Sequence, residues 1–217
     1  DDRDVIPARH ATARDCPRAV RAVVTAAHGG REQLRYRTDY PDPAPRADEV
    51  LVRVAACAVN YHDIFTRRGM PGITIPLPVV AGSDIAGTVT RVGASVTSWV
   101  EGDRVLLDPV LRTGPRVGLI GEIVDGGRAE LIAVPAAQLT RVPDTVSLEQ
   151  AATLPLAYGT AYRMLHARGA VTAGERVLIL GASGGVGVAC VQLAKLAGAE
   201  VIACASTDDK LRRLRSL

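Results

Sequence analysis

A glycine-rich stretch near the end of the chain, "LILGASGGVGVACVQLAK" (residues 178–195), contains the residue types that bind an anion. Gly181, Gly184 and Gly187 stand where an apolar strand is expected to turn into a helix. Such a turn needs a residue without a Cβ, and a phosphate must approach the free N–H groups at the helix start closely. The residues predicted to contact phosphates are Gly181, Ser183, Gly184, Gly185, Val186 and Gly187.

The segments around this loop make the prediction more specific. The glycine spacing is GxxGxxG, one residue longer than the common GxGxxG before its second glycine, and a glycine string alone also suits a purely structural turn. Here the strand "RVLIL" precedes the loop, the helix "VGVACVQLAKLAG" follows it, and a second strand, "EVIACA", comes next. Strand, helix and strand form the building block of a parallel sheet, so we predict a dinucleotide site.

The rest of the chain divides into two patterns. From Arg21 to about Val142, short β-branched runs such as "EVLVRVAACAV" alternate with turn residues, which is typical of an all-β barrel or sandwich. From Ser147 the period changes to two short helical stretches, the first opened by Ser147 as its N-cap. We predict a disordered extension over 1–20, a β-barrel domain over 21–165 and an α/β domain over 166–217.

Composition and charge exclude several classes of function. The net charge of +3 comes from dispersed arginines, which argues against a nucleic-acid surface. No apolar run approaches the roughly 20 residues that cross a bilayer, and the acidic start lacks the apolar region of a secretory signal. Cys57, Cys190 and Cys204 lie in apolar runs and form no CxxC pair, so we expect buried free thiols and a cytoplasmic location.

Five blocks of the sequence resemble the medium-chain dehydrogenase/reductase superfamily in the order that this family shows. They are "VLVRVAACAVNYHDIFTRRG", "PVVAGSDIAGTVTRVGASVTSWVEGDRV", "DGGRAELIAVPAAQLTRVP", "AATLPLAYGTAYRML" and "GERVLILGASGGVGVACVQLAKLAGAEVIACAS". The resemblance implies a GroES-like β-barrel catalytic domain followed by a Rossmann domain, with hydride transfer in the cleft between them. Within the superfamily, the chain is most similar to the quinone oxidoreductase and enoyl reductase-like branch, whose members often carry the name of zinc-type alcohol dehydrogenases.

The same resemblance locates the positions where zinc-dependent members hold their catalytic metal. The first cysteine falls on Asn60, the His-Glu pair on Ser83 and Asp84, and the last cysteine on about Leu156. Asparagine, serine and leucine are not zinc ligands, and one carboxylate cannot replace three ligands. The region of the structural zinc, "VLRTGPRVGLIGE", contains no cysteine. We therefore predict no metal site.

Without zinc to polarise a carbonyl, reduction of an activated C=C bond or of a quinone is the favoured reaction. Asn60 and Tyr61 match the family segment that lines the reaction cleft, so each is a candidate donor to a developing oxyanion. Tyr158, Thr160 and Tyr162 resemble the stretch that enters the cofactor domain near the nicotinamide. Packing between domains, with satisfied hydroxyl groups, is the alternative for these tyrosines.

Three further residues of the "NYHDIFTRRG" block have two interpretations each. His62 is the one histidine of this block, and a hydrogen-bonded structural or substrate-lining role is favoured over metal binding. Arg67 and Arg68 read as a solvated turn, and the alternative is contact with an anionic substrate such as a CoA thioester.

Cofactor type depends on the residues that follow the second strand. By count, Asp208 lies where an acid would bind the ribose of NAD. However, the strand is expected to end at Ala205, and Asp208 and Asp209 read as the first turn of a helix with Ser206 as its N-cap. Ser206 and Lys210 match a pair that resembles a 2′-phosphate site, so we predict NADPH (NADP+).

The chain ends soon after the second strand, so we expect it to hold only the first strand–helix–strand part of a truncated Rossmann domain. The favoured function is a zinc-independent NADPH oxidoreductase acting on a small-molecule quinone or enone, with homo-oligomers possible in a full-length form. Two alternatives are an alcohol or aldehyde dehydrogenase-like member and a catalytically silent nucleotide-binding module. The 217-residue chain alone is expected to be inactive.

Overall fold

The computed structural model of the chain describes residues 19–113 and 116–217. Most of the predicted extension over 1–20 lies outside these residues, and the first strand begins at Ala19, two residues before the expected start. The strands are β1 (Ala19–Thr25), β2 (Leu34–Pro41), β3 (Glu49–Ala58), β4 (Val79–Val80), β5 (Asp84–Val92), β6 (Arg104–Leu107), β7 (Val110–Thr113), β8 (Arg116–Leu119), β9 (Leu131–Pro135), β10 (Leu139–Arg141), β11 (Arg176–Ile179) and β12 (Glu200–Ala203).

The helices connect the strands mainly in the second half of the chain. They are α1 (Tyr61–Arg68), α2 (Leu148–Ala152), α3 (Ala157–Tyr162), α4 (Gly185–Leu196) and α5 (Asp208–Arg215). A π-helical stretch, Arg163–Arg168, continues α3, and two short 3-10 turns occupy Arg31–Gln33 and Ala136–Gln138. Among the described residues, no helix is long and apolar enough to span a membrane.

The first half forms an antiparallel β structure, as the alternating apolar runs predict. One sheet has the strand order β10-β6-β5-β3-β9, and a smaller sheet has the order β2-β1-β4. Residues 128–130 join the two sheets, because Val23 N donates to Arg128 O at 2.8 Å and Val54 N donates to Glu130 O at 2.9 Å. Apolar side chains fill the interior of the larger sheet: Val50, Val52, Ile85, Val89, Val105, Leu107, Ile132 and Val134.

The link between the two halves starts with a capped helix. Ser147 is the N-cap of α2, where its hydroxyl accepts from Gln150 N at 3.1 Å and the Gln150 side chain returns to Ser147 N at 3.1 Å. Ala151 and Ala152 of α2 are buried against the barrel. The helix α3 packs on α4 instead, and the expected boundary at 165/166 falls within the π-helical stretch that continues α3.

The strands β11 and β12 are parallel, and α4 connects them. This unit confirms the predicted strand–helix–strand order. One face of the pair packs against α4, whereas Leu178, Leu180 and Ile202 are 60%, 74% and 46% exposed. Cys204 is also exposed, so the prediction that it is buried is wrong, because period-two alternation from Ile202 directs it away from α4. Cys190 is buried and Cys57 is half-buried.

Candidate active site and cofactor-binding loop

The barrel side of the candidate site is the start of α1. The strand β3 ends at Ala58, directly opposite Asp84 at the start of β5. Asn60 follows two residues later and precedes α1, and its backbone N–H donates to the Asp63 carboxylate at 2.8 Å. This pairing of strand ends therefore brings the Asn60 side chain beside Asp84.

Asp84 connects two segments that are far apart in the sequence. The residue is 1% exposed. Its carboxylate accepts hydrogen bonds from Asn60 Nδ2 at 2.9 Å and from Leu156 N at 2.8 Å. Burial raises the pKa of the Asp84 carboxyl, and the two hydrogen bonds act in the opposite direction. Asn60, Asp84 and Leu156, three positions that the resemblance assigns to zinc ligands of zinc-dependent members, are thus joined by hydrogen bonds.

The fourth of these positions, Ser83, has a different partner. Its hydroxyl donates to Ile120 O at 2.7 Å and is buried. Within the residues that the structure describes, no group of three or more His, Cys, Asp or Glu side chains is arranged to hold a metal ion. At these positions the chain presents three hydrogen-bond donors, an amide, a hydroxyl and a backbone N–H, and one acceptor, the Asp84 carboxylate.

An ion pair fixes the other side of α1. Asp63 is buried and accepts from Arg128 Nη2 at 2.7 Å. Arg67 is also buried: its guanidinium donates to Gly29 O, and its own carbonyl accepts from Gly29 N at 3.0 Å. The interpretation of Arg67 as a solvated turn residue is therefore wrong, since its backbone and side chain both hold the β1–β2 connection. Arg68 is exposed as expected.

His62 has a partner that the sequence did not indicate. Its Nε2 lies 2.6 Å from Glu122 Oε2, and Glu122 is only 6% exposed. Sixty residues separate the two, and Glu122 lies in an apolar run, "GLIGEIV", that carries no recognisable motif. Tyr61, the neighbouring candidate, is 67% exposed and packs edge-on against Phe65.

Cys57 lies beneath this site and has the properties of a structural thiol. Burial raises the pKa of Cys57 to about 12, so the thiol stays protonated at neutral pH. A Cβ added at Gly82 would lie 2.6 Å from the Cys57 sulfur, so the thiol packs directly on the backbone of the β4–β5 connection. Cys57 is therefore not a nucleophile of this site.

The glycine loop has the predicted form, and its glycines differ in what they require. Gly181 has a φ of +61°, which side chains disfavour, and a Cβ on Gly187 would lie 2.5 Å from Gly181 O. A Cβ on Gly184 or Gly185 would meet nothing closer than 3.4 Å and 3.8 Å. The fold thus requires glycine at 181 and 187, whereas 184 and 185 leave the start of α4 open to a ligand.

The side chains around the loop are accessible in the way that anion binding needs. Ser183, Gly184, Gly185 and Val186 are exposed, and α4 begins at Gly185 with Gly184 as its N-cap. The first N–H groups of a helix have no partner within the helix and carry its positive end. This end of α4 can therefore bind a phosphate group.

The two tyrosines of α3 have different surroundings. The start of α3 lies beside α4, because the nearest atom to an added Gly185 Cβ is Ala157 Cβ. The Tyr158 hydroxyl donates to Gln192 of α4, which fits the packing alternative for this residue. Thr160 is exposed, and Tyr162 is 58% exposed with its ring beside His166.

The residues after β12 come together, with two corrections. The strand ends at Ala203, not Ala205, and the N-cap of α5 is Thr207, not Ser206. Thr207 has the extended backbone that an N-cap needs, and its hydroxyl accepts from Lys210 N at 3.4 Å. Ser206 Oγ is then free to accept from Lys210 Nζ at 3.0 Å. Asp208 and Asp209 occupy the first turn of α5, as predicted.

The known proteins to which the chain is similar are dehydrogenases and oxidoreductases. The sequence profile of the alcohol dehydrogenase GroES-like domain matches residues 46–144. A quinone oxidoreductase from Homo sapiens is 34% identical over 190 residues, which cover 88% of this chain and 54% of the human protein. An NADPH-dependent alkenal/one oxidoreductase of Arabidopsis thaliana chloroplasts is 36% identical over 203 residues, covering 93% of this chain and 51% of that protein.

The solved structures include an NAD-dependent alcohol dehydrogenase. It superposes with a TM-score of 0.85 at 40% identity, covering 90% of this chain and 61% of that one. The chain thus spans about half the length of the curated relatives it matches.

Proposed function

Because the chain belongs to the medium-chain dehydrogenase/reductase superfamily, we propose that it is part of an enzyme that transfers a hydride from NADPH to a quinone or an α,β-unsaturated carbonyl compound without zinc. The names of two relatives, a quinone oxidoreductase and an alkenal/one oxidoreductase, support these substrate classes. The names of these relatives favour the quinone oxidoreductase and enoyl reductase-like branch of the superfamily.

The observation that carries the proposal is the hydrogen bonding of Asp84. Zinc-dependent chemistry needs soft or borderline ligands at the positions of Asn60, Ser83 and Leu156. In this chain the Asp84 carboxylate instead accepts from the Asn60 amide and from the Leu156 backbone. These contacts support a site that uses hydrogen-bond donors in place of a metal ion.

The side chains at the start of α1 have defined tasks in this reaction. A reduced nicotinamide held by this chain would supply the hydride, and negative charge would develop on the carbonyl oxygen of the substrate. Asp84 orients the Asn60 amide, and the exposed Tyr61 hydroxyl reaches the solvent side of the same turn. Asn60 and Tyr61 are the proposed donors that stabilise this charge.

The loop and α5 supply the proposed cofactor site. Gly181, Ser183, Gly184, Gly185, Val186 and Gly187 surround the open start of α4, where a pyrophosphate would accept from backbone N–H groups. Tyr158 and Thr160 of the neighbouring α3 are proposed to line the nicotinamide end, although the Tyr158 hydroxyl is already bonded to Gln192.

The preference for NADPH is proposed from Ser206 and Lys210. The Ser206 hydroxyl and the Lys210 ammonium group lie 3.0 Å apart after β12, and both can donate hydrogen bonds to a 2′-phosphate. Lys210→Ala is expected to weaken NADPH binding by about 1.5–3 kcal/mol while leaving NADH binding nearly unchanged. Fluorescence titration with both cofactors measures this difference. Equal binding of the two by the unaltered chain would instead favour Asp208 as a ribose ligand and agree with the NAD-dependent relative.

A second candidate function, a nucleotide-binding module without turnover, is favoured by the uncovered sheet face. Leu178, Leu180 and Ile202 are exposed on the side of β11 and β12 that α4 does not cover. A two-stranded parallel sheet is marginal as an independent unit, and a full dinucleotide site spans two mononucleotide-binding halves. We therefore propose that residues 1–217 alone bind NADPH weakly and do not catalyse its oxidation.

One experiment separates the two candidates. Residues 1–217 are compared with a completed form, in which they are joined to the stretch of human quinone oxidoreductase that follows its match to this chain. Both are mixed with NADPH and a panel of quinones and enones. Oxidation of NADPH by the completed form supports the reductase, whereas NADPH binding without oxidation in both forms supports the silent module.

A further inference from the structure

The carboxylate of Glu122 is buried where it needs a cationic or strongly donating partner. Its side chain is 7% exposed, and its one hydrogen bond among the described residues is with His62 at 2.6 Å. A buried ionised carboxylate is unfavourable unless it is paired and hydrogen-bonded. Donation from His62 Nε2–H satisfies the Glu122 carboxylate, and a ring that carries both protons also balances its negative charge.

The loop that carries Glu122 is held in place by close backbone packing. Gly121 has a φ of +81°, and a Cβ there would lie 2.6 Å from Gly82 N. The carbonyl of Ile120 also accepts from the Ser83 hydroxyl at 2.7 Å. Glu122 is thus fixed against residues 82–84, and its carboxylate reaches His62 at the start of α1.

The imidazole of His62 stands beside the candidate donors of the reaction. His62 is the second residue of α1, two positions after Asn60, and its side chain is 24% exposed. Glu122 occupies Nε2, so the hydrogen bond fixes the ring by that nitrogen and leaves Nδ1 for another partner. The ring is thus held in one orientation while the side chain stays partly exposed, which suits a proton donor.

We propose that His62, positioned by Glu122, binds the carbonyl oxygen of the substrate and donates a proton to it; the proposal rests on the reductase function. As hydride adds to the β-carbon, the C=C electron pair moves to form an enolate. The Nδ1–H bond of the imidazolium breaks, an O–H bond forms, and neutral imidazole remains. The enol becomes the ketone through solvent, and water returns a proton to His62. With a quinone, the same transfer produces a hydroquinone oxygen.

Binding of 4-nitrophenol to residues 1–217 tests this role without cofactor. Its oxygen resembles that of an enolate, and its absorbance distinguishes the phenol from the phenolate. The unaltered chain should bind it as phenolate. His62→Gln can still donate to Glu122 but has no proton to give, so its affinity should fall at least tenfold and the bound form should be neutral. Glu122→Gln should show a comparable loss.

His28→Gln is the matched control, since His28 is exposed and its ring lies at the carbonyl of Arg67, at the far end of α1. It should bind 4-nitrophenol as the unaltered chain does. The ring nitrogens of His62 in the unaltered chain should also change their NMR chemical shifts when 4-nitrophenol is added, which needs no variant to fold.

Equal binding by the unaltered chain and His62→Gln, no binding by the unaltered chain, or unchanged His62 signals would each overturn the proposal. NADPH oxidation is not part of this experiment. A failure here therefore leaves hydride transfer to the enone intact, and a completed form that binds 4-nitrophenol but does not oxidise NADPH contradicts the reductase function instead.

Discussion

The glycines of the loop show how similar residues carry different requirements. Gly187 sits where α4 crosses the end of β11, and an added methyl would lie 2.5–2.8 Å from the backbone of Gly181 and Ala182. Gly185 has open space around it, with its nearest neighbour at 3.8 Å. Sequence spacing cannot separate the two, because both belong to the same motif. The distinction between a glycine that the fold needs and one that a ligand needs comes from geometry.

This distinction predicts opposite outcomes for two alanine substitutions. Gly187→Ala should lower the free energy of unfolding by about 1–3 kcal/mol, because the backbone must move. Gly185→Ala should change it by less than about 0.5 kcal/mol and yet weaken NADPH binding about tenfold, since the methyl occupies the path of the phosphate. Urea denaturation and cofactor titration measure both. Equal NADPH affinity of Gly185→Ala and the unaltered chain would contradict a phosphate at this position.

Burial of Asp84 predicts a pH dependence of stability. Because burial raises the pKa of Asp84, the folded chain holds a proton at pH values where the unfolded chain has released it. Its contribution to stability is complete below the ordinary carboxyl pKa, about 4, and is lost as pH rises through the folded pKa. Asp84→Asn lacks this titration. The stability of the unaltered chain relative to Asp84→Asn should therefore fall with rising pH in urea denaturation, and a constant difference would contradict the raised pKa.

Part of the candidate site could be predicted from the sequence, and part could not. Asn60, Asp84 and Leu156 were placed together by the family resemblance, and the structure joins them by two hydrogen bonds. Glu122 had no signal, because its partner His62 is 60 residues away and contacts of that range leave no local pattern. The sequence predicts Ser206 as the N-cap of α5, and the structure gives that role to Thr207, whose extended backbone and hydroxyl contact to Lys210 N no residue type reveals.

At the scale of elements, local sequence patterns predicted whether a segment is a helix or a strand, but not which elements pack against each other. The capping box at Ser147 and the period-two runs depend on neighbours in the sequence, so helices and strands followed from them. The junction of the two sheets through residues 128–130 depends on segments more than 70 residues apart. The packing of α3 on α4 is likewise non-local, because Tyr158 donates to Gln192.

The capping box also provides a test at this scale. Ser147→Ala removes the hydroxyl that accepts from Gln150 N and leaves that N–H without its side-chain acceptor. Since α2 has only five residues and buries Ala151 and Ala152 against the barrel, its start should matter for the whole unit. We expect a loss of about 1 kcal/mol in the free energy of unfolding. Thr153→Ala, at the other end of α2, is a control for loss of a hydroxyl; an equal or larger loss there would contradict the role of the cap.

The whole molecule combines two joined antiparallel sheets with a small, open strand–helix–strand unit. The barrel buries its apolar side chains on both sheets, whereas β11 and β12 leave Leu178, Leu180 and Ile202 exposed. Proteins rarely leave contiguous apolar surface uncovered without a partner for it. The chain carries both the candidate catalytic groups and the candidate phosphate-binding loop: Asp84 accepts from the backbone N–H of Leu156, directly before α3, and α3 packs on α4.

Zinc-independent reduction of an enone by NADPH is tested most directly by enone-dependent NADPH oxidation after dialysis against a chelator, with zinc quantified in the same sample. The completed form should oxidise NADPH at an undiminished rate with far less than one zinc per chain, and residues 1–217 alone should not. Asn60→Ala in the completed form should slow the reaction, because it removes the amide that Asp84 orients. Activity that disappears on dialysis and returns only with stoichiometric zinc would contradict the account.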